Sequence, residues 1–296
     1  LTASLGGPFI VVTHGWLVAP RELYLQPEYL PGGDLGALLG RSGPLGPAAA
    51  RFYVGSAALA LEAMHSQHVA HRDVKPENIC VCADGYAKVV DLGFATRLPD
   101  DGRAHSLLGT PEYLAPEIFL AEGHGVEADV WALGATLHTL LLDAHPFGGP
   151  TPQHVYSEAL KGEVFFPQNL LSPPTKQLIS AMLSREPAAR PTAGALWTLA
   201  FFSAGAVLGA QQPLEAEALR QRTAQPPFVP RLRSPFDVRH FERGDADDDS
   251  DESGDDGEAP TLALAGGAEA DARELRFQAP ERACSIEELE RAAHIS

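Results

Sequence analysis

The residues whose types and spacing could do chemistry lie in two short polar segments. The first, residues 71–78, reads H-R-D-V-K-P-E-N, and the second, D-L-G, begins eighteen residues after Asp73. Phosphoryl transfer needs carboxylates, an amide oxygen and a cation around one point, because the protein must position two reactants and neutralise charge on the moving phosphate. The segments supply these groups as Asp73, Lys75, Asn78 and Asp91. They therefore favour phosphoryl transfer over the alternative, a polar turn between two strands in which Asp73 is only a cap.

The first segment resembles the catalytic loop of the eukaryotic-type protein kinases, and the second resembles the metal-binding loop of that family. The resemblance implies that Asp73 accepts the hydrogen bond of a substrate hydroxyl and orients it for attack, a role typically worth about 10²–10⁴ in rate. It also implies that Lys75 lies beside the transferring phosphate, and that Asn78 and Asp91 hold Mg²⁺ through oxygen ligands. ATP and Mg²⁺ are therefore the expected cofactors.

A third segment, residues 109–117, reads G-T-P-E-Y-L-A-P-E and resembles the end of the activation segment of Ser/Thr kinases. By this resemblance Thr110 hydrogen-bonds toward Asp73 and Lys75, which favours serine and threonine over tyrosine as phosphate acceptors. The same segment argues against an unrelated phosphotransferase that shares only the catalytic aspartate and asparagine.

The resemblance also implies three contacts that shape the site. Glu117 is expected to pair with Arg190, and Asp129, at the start of a D-V-W-A-L-G segment, is expected to brace the backbone of the catalytic loop. Ser106 falls where related kinases carry an activating phosphate, and a phosphoserine there could pair with Arg72 and order the loop. The alternative is an exposed loop serine without this role.

The segment E-Y-L-P-G-G-D resembles the hinge and following turn of the AGC group, especially the cAMP- and cGMP-dependent kinases. By this resemblance the Glu28 carbonyl and the Leu30 amide meet the adenine edge, and Cys80 lies on the floor of the nucleotide pocket. Asp34 and Glu77 occupy positions that draw an arginine of the substrate toward the site, so proteins with basic residues before the acceptor are the expected substrates.

Two positions depart from this pattern. Thr139 aligns with a third acidic residue of the cAMP-dependent enzymes, so the preference for basic substrates is expected to be reduced. Pro27 stands just before the hinge, where related kinases have a free amide, and proline removes that donor.

Two further segments, P-P-F-V-P and D-V-R-H-F-E, resemble the AGC tail that wraps back over the small lobe. In that tail an aromatic residue, here Phe241, contacts the adenine pocket. Proline-rich composition alone predicts an extended path, so a flexible linker with an isolated phenylalanine is the alternative.

The elements that must position these groups follow from the apolar periodicity. Pro47 opens a predicted helix that ends near His65, with apolar residues spaced for one face. A second helix, 129–142, is apolar on almost every side, which is typical of a helix at the centre of a domain. Short strands are predicted at 9–12, 23–25, 79–81 and 88–90.

Together these features predict an α+β, protein-kinase-like fold, mainly the helical large lobe with remnant strands of the small lobe. The predicted divisions are a small-lobe remnant with hinge (1–30), the large lobe (31–202), an AGC-type extension (203–243) and an acidic tail (244–296). From residue 245 onward the chain has sixteen acidic residues against four arginines, within a total net charge of −17. Self-repulsion predicts disorder in the tail, with a short terminal helix from Ser285.

The composition excludes several function classes. Before residue 245 the charge is nearly balanced, so nucleic-acid binding, which needs clustered lysine and arginine, has no support. Three sparse cysteines argue against a disulfide framework, and an intracellular, cytoplasmic location is expected. The uncharged stretch 194–210 is short and rich in glycine and alanine, so no membrane span is predicted.

The kinase pattern begins in the middle of the small lobe. The 296 residues contain neither a G-x-G-x-x-G loop nor a V-A-I-K lysine, and they begin with Leu1. We therefore expect a partial catalytic domain, truncated on its N-terminal side and inactive alone, with an upstream regulatory domain outside this chain. The alternative is a pseudokinase-like binding module that holds partners without catalysis.

Overall fold

The computed structural model describes residues 5–19, 22–167, 170–203, 205, 212–241 and 276–278. They form a small antiparallel sheet and a larger, mainly helical body. The strands are β1 (Thr13–Ala19), β2 (Glu22–Pro27), β3 (Val69–Ala70), β4 (Ile79–Val81), β5 (Ala87–Val89), β6 (Thr96–Arg97) and β7 (Arg276–Gln278). The helices are α1 (Leu35–Ser42), α2 (Pro47–His65), α3 (Pro116–Phe119), α4 (Glu127–Leu142), α5 (Pro152–Lys161), α6 (Pro173–Met182) and α7 (Ala216–Arg220).

Helix α4 forms the centre of the helical body. Its residues from Ala128 to Leu141 are all buried, and α2 and α6 pack against it. The buried Trp131 stacks on Phe147, with ring centroids 5.4 Å apart. The predicted central helix is confirmed, although it begins at Glu127 rather than at residue 129.

Helix α2 precedes β3 and the polar segment 71–78. It runs from Pro47 to His65, as the sequence predicts, and proline suits a first helical position because its missing amide hydrogen would have no partner there. After α2 the chain turns through His68, whose φ of 57° lies in the left-handed region, into β3 and then into the polar segment 71–78.

Strands β4 and β5 form a hairpin between the two polar segments. The register pairs Ile79 with Val89, Cys80 with Lys88 and Val81 with Ala87. Because successive side chains of a strand point to opposite faces, the odd-numbered residues join the main core, whereas Cys80 and Cys82 cluster with Leu30 on the other face. The predicted strand 88–90 is displaced by one residue, to Ala87–Val89.

Strands β1 and β2 form an antiparallel pair with an irregularity between Thr13 and Gly15. The other edge of β1 pairs with β7, which lies more than 250 residues later in the chain. All six residues of β2 are exposed, in contrast to the buried strands β3, β4 and β5.

The prediction of a strand at 9–12 is wrong, since β1 begins only at Thr13. Phe9 and Ile10 are each 1% exposed and belong to the main core. The Val89 amide donates to the Phe9 carbonyl at 2.8 Å, and the Val11 amide donates to the Val89 carbonyl at 3.0 Å. The apolar residues 9–11 are therefore buried beside β5, whereas Val12 is exposed and accepts a hydrogen bond from the Glu28 amide.

Residues 212–241 run over the helical body and the hinge. Near the start of this path the Tyr86 hydroxyl donates to the Ala224 carbonyl at 2.5 Å, and near its end the Tyr29 hydroxyl donates to the Asp237 carbonyl at 2.6 Å. A β-carbon on Gly33 would lie only 2.0 Å from the His240 carbonyl oxygen, so the close approach of the extension requires glycine there. The extension also contains α7, a helix that the proline-rich pattern did not predict.

Most of the predicted acidic tail, including the helix expected from Ser285, lies outside the described residues. Within the part of the chain that the structure describes, no helix combines the length and apolar character that a membrane crossing requires.

Candidate active site

Asp129 fixes the backbone of the polar segment from inside the protein. Its carboxylate accepts hydrogen bonds from the amides of His71 at 2.8 Å and Arg72 at 2.7 Å, and lies 2.8 Å from His65 Nε2. Burial alone would raise the pKa of Asp129, but the hydrogen bonds from His65 and the His71 amide outweigh it and hold the pKa below its ordinary value. Arg72 can therefore keep its left-handed backbone, with φ of 70°.

Asp73 is the point on which the catalytic candidates converge. Its Oδ1 accepts from the Thr110 amide at 3.1 Å and from the Thr110 hydroxyl at 2.8 Å. Its Oδ2 accepts from Asn78 Nδ2 at 2.9 Å and lies 3.0 Å from Lys75 Nζ. Lys75 Nζ also donates to the Thr110 hydroxyl at 2.8 Å, so Thr110 contacts both Asp73 and Lys75, as the resemblance implied.

Asn78 and Asp91 provide oxygen atoms at the open end of the β4–β5 hairpin, where Asn78 precedes β4 and Asp91 follows β5. The Asn78 amide nitrogen donates to the Asp73 carbonyl at 2.7 Å and to the Asp73 carboxylate, so the amide oxygen is the group left for another ligand. Asp91 is exposed and directly follows Val90, whose amide donates to the Asn78 carbonyl at 2.9 Å. An amide oxygen and a carboxylate are hard ligands, so the donor set fits Mg²⁺.

The hinge segment lies over the outer face of the hairpin. Leu30 and Cys80 are buried there with Cys82 and the partly buried Val90. Burial raises the pKa of the Cys80 thiol to about 12, with a further contribution from Asp34, so the neutral thiol acts as a packing group. The predicted contacts of the Glu28 carbonyl and Leu30 amide with adenine remain predictions.

Asp34 and Glu77 lie on either side of Gly36. A β-carbon on Gly36 would lie 3.0 Å from Asp34 Oδ1 and 3.1 Å from Glu77 Cγ, so the two side chains are close neighbours, and Glu77 is exposed. Asp34 has a second role that the sequence analysis missed, because its Oδ1 accepts from the Ala37 amide at 2.8 Å and caps α1. Its other oxygen can still face a substrate.

Glu117 and Arg190 meet as predicted, in a buried bidentate pair with N–O distances of 2.6 Å and 2.8 Å. The guanidinium also donates to the Ser184 carbonyl at 2.8 Å and lies over the Trp131 ring, 5.0 Å from its centroid. The pair ties the segment that follows Thr110 to the centre of the helical body.

Comparison with known proteins agrees with this geometry. The family description "Protein kinase domain" matches residues 1–202. The chain belongs to the protein kinase family. The kinase resemblance and the α+β kinase-like fold predicted from the sequence are thereby confirmed.

Its relatives include kinases of the cyclic-nucleotide-dependent type. The chain is 34% identical over 253 residues to a cAMP-dependent protein kinase catalytic subunit of Dictyostelium discoideum, covering 84% of this chain and 37% of the relative. It is 35% identical over 239 residues to the human cAMP-dependent protein kinase catalytic subunit PRKX, covering 79% and 64%. It is 33% identical over 251 residues to the cGMP-dependent protein kinase, isozyme 1, of Drosophila melanogaster, covering 81% and 31%. The chain thus spans between about a third and two thirds of the length of these relatives.

In this kinase chain, Arg72 joins the catalytic loop to the activation segment. Its guanidinium donates from Nε to the Phe94 carbonyl at 2.6 Å and from Nη1 to the Ser106 hydroxyl. Ser106 is exposed, so a modifying enzyme could reach it, and its hydroxyl already contacts the cation predicted to bind a phosphate. The regulatory role of Ser106 remains a prediction.

The tail of the kinase brings Phe241 to the hinge. The Phe241 ring stacks on Tyr29 with centroids 6.1 Å apart, and Arg41 donates to the neighbouring His240 carbonyl. The extended path agrees with the prediction, but the ring contact is with the hinge tyrosine, and contact with adenine remains a prediction.

Two site residues were missed by sequence reasoning. His65 contacts Asp129 from the end of α2, 64 positions earlier in the chain, and no local pattern links the two. Lys88 lies on the outer face of the hairpin and pairs with Glu28. A lysine within the otherwise apolar run A-K-V-V was the only signal that could have indicated a buried partner.

Proposed function

We propose that this chain carries the transfer site of a Ser/Thr protein kinase, which moves the γ-phosphoryl group of ATP to a serine or threonine of a protein substrate. The observation that carries this proposal is the convergence of Thr110, Lys75 and Asn78 on the Asp73 carboxylate. Family membership and the relatives' names support the same reaction class.

The carboxylate of Asp73 is suited to orient a hydroxyl for attack. An ionised carboxylate accepts hydrogen bonds only, so its Thr110, Lys75 and Asn78 donors hold it in one orientation. Lys75 is partly exposed and adds a positive charge at this point, where it would neutralise negative charge on the oxygens of the transferring phosphoryl group. Positioning and charge neutralisation are the two contributions that phosphoryl transfer requires.

Asn78 and Asp91 would hold Mg²⁺ with the phosphates of ATP. When bound, the metal neutralises negative charge on those phosphates. The Asn78 side chain fits this role because its nitrogen is engaged by Asp73, which directs the amide oxygen to another ligand.

The proposed substrates are proteins with basic residues before the acceptor. Asp34 and the exposed Glu77 form a close acidic pair beside the catalytic loop, which would attract a positive side chain. The third position, Thr139, carries an uncharged hydroxyl in place of a carboxylate, and this hydroxyl donates to the Ala135 carbonyl at 3.0 Å. A single arginine near the acceptor should therefore suffice, with little gain from a second.

The test is phosphate transfer by the full-length natural protein that contains this sequence, with Mg-ATP and an arginine-containing serine peptide, followed by mass spectrometry. Asp73→Asn keeps the size of the side chain and removes its charge, and we expect a loss of about 10²–10⁴ in rate. Asp143→Asn, at an exposed position after α4, is the matched control and should keep parental activity.

Equal rates for the parent protein and Asp73→Asn would contradict the proposal. A parent protein that transfers no phosphate under any tested condition would instead favour the binding-module alternative.

A further inference from the structure

A buried ion pair joins the hinge to the hairpin beneath it. Lys88 Nζ lies 2.5 Å from Glu28 Oε1, and the two side chains are only 10% and 22% exposed. Charges that are this well covered usually require a partner, and each of these is the partner of the other.

The strand register places Lys88 on the same face of the hairpin as Cys80, the residue predicted to form the floor of the nucleotide pocket. Lys88 lies directly opposite Cys80 in the β4–β5 ladder, and directly opposed residues project to the same face of a sheet. That face carries the small cluster of Leu30, Cys80 and Cys82, whereas the other face joins the main core. The ammonium group of Lys88 is therefore on the side of the hairpin that the hinge covers.

Glu28 is held by its main chain and its side chain together. Its amide donates to the Val12 carbonyl at 2.8 Å, and its Oε1 accepts from the Val12 amide at 2.7 Å as well as from Lys88. The residues just before Val12 exchange two hydrogen bonds with Val89, the neighbour of Lys88. The hinge, segment 9–12 and β5 are thus joined by main-chain hydrogen bonds, and the Glu28–Lys88 ion pair is the side-chain contact between the hinge and β5.

We propose that Lys88 is a positioning residue for nucleotide binding: its ion pair with Glu28 fixes the hinge against the hairpin and so holds the hinge main chain ready for a purine base. The inference rests on the proposed function, since it assumes that the nucleotide occupies the cleft under the hinge. Lys88 acts through Glu28 and does not itself contact the phosphates.

The first measurement is hydrogen exchange in the nucleotide-free protein, which requires no ligand. In Lys88→Met, the Val12 amide should exchange about ten-fold faster, the change expected when a charge-assisted hydrogen bond is weakened. Lys88→Arg keeps the charge and should restore slow exchange. Lys161→Met is the matched control, because Lys161 pairs with Glu158 on an exposed helix surface. Unchanged Val12 exchange in Lys88→Met would overturn the proposal.

The second measurement separates base from phosphate binding by calorimetry with adenosine and with magnesium tripolyphosphate. In Lys88→Met we expect adenosine to bind about ten-fold more weakly, with tripolyphosphate affinity unchanged. Equal losses for both ligands would mean that Lys88 contacts phosphate or supports the whole fold, and would overturn the positioning role.

Glu28→Gln is a second variant, which tests the same ion pair in case Lys88→Met does not fold. It keeps an acceptor for the Val12 amide but removes the charge, so it should weaken adenosine binding and add little to Lys88→Met in the double variant. Additive effects would contradict coupling through the pair. If the parent protein binds no adenosine, the proposed function fails, and the hydrogen-exchange result alone then decides whether the pair braces the hinge.

Discussion

The catalytic loop and the hinge are attached to this molecule in different ways. The loop is braced by buried groups of the helical body, above all by Asp129, and the activation segment beside it is anchored by Glu117 and Arg190. The hinge is held by main-chain hydrogen bonds, the Glu28–Lys88 pair, the small cluster around Leu30 and the contacts of Tyr29 with the C-terminal extension, and it continues from a strand whose six residues are all exposed.

This difference separates the two halves of the proposed chemistry. The groups that would orient the acceptor hydroxyl are held by the packed interior of the helical body. The groups that would hold the purine base depend on a thinner set of contacts. We therefore expect substitutions in the interior to affect the stability of the whole fold, and substitutions around the hinge to affect mainly ligand affinity.

The largest effect is expected from breaking the Glu117–Arg190 pair. Arg190→Ala leaves the Glu117 carboxylate buried without its partner, which should reduce the free energy of unfolding by about 3–5 kcal/mol. Arg220→Ala is the matched control, because Arg220 pairs with Glu62 at the surface and should cost about 0–1 kcal/mol. Urea unfolding measures both variants, and similar midpoints would show that the buried pair is not an anchor.

Two leucines test the comparison between interior and sheet directly. Leu133 in α4 is 0% exposed and Leu25 in β2 is 52% exposed. Leu133→Ala should lower the free energy of unfolding by about 2–5 kcal/mol, since it leaves a cavity in a packed core. Leu25→Ala should change it by no more than about 0.5 kcal/mol. A large loss for Leu25→Ala in thermal unfolding would mean that the sheet face is covered in solution.

The smallest of the three effects concerns Asp129 and pH. Because the folded-state pKa of Asp129 is below its ordinary value, its ionised form contributes stability above pH of about 4, and this contribution is lost as pH falls through the folded pKa. Asp129→Asn should lower the free energy of unfolding at pH 7 by about 1–3 kcal/mol.

The variant should also lose less stability than the parent protein between pH 5 and the acid range, because it has no carboxylate to protonate at this position. Urea midpoints measured across that range provide the check. Parallel pH profiles for the two proteins would mean that Asp129 does not supply the acid-sensitive contribution.

Much of the fold and the transfer site could be predicted from local patterns. Helices α2 and α4 follow from apolar spacing, since burial of one face or of all faces leaves a periodic trace in the sequence. The predicted group of Asp73, Lys75, Asn78 and Thr110 assembles because three of its members lie within six residues of one loop. The Glu117–Arg190 pairing came from the family resemblance and not from spacing.

Other features could not be predicted because the partners are distant and their types are common. The run at 9–12 has the composition of a strand, but its burial beside β5 is decided by packing. The stacking of Phe241 on Tyr29 joins residues more than 200 positions apart, and the contact of Phe241 with adenine stays a prediction. The capping of α1 by Asp34 is by contrast a local contact that the sequence analysis missed, and the role of Asp34 toward substrate stays a prediction.

The side chains proposed to take part in phosphoryl transfer, Asp73, Lys75 and Asn78, lie close together in one loop, so the family resemblance could assign them from the sequence alone. The contacts that hold those groups in place are determined only by the tertiary structure. His65 reaches Asp129 and Lys88 reaches Glu28 across long stretches of sequence. A buried charge needs a partner, but only tertiary packing determines which partner it meets.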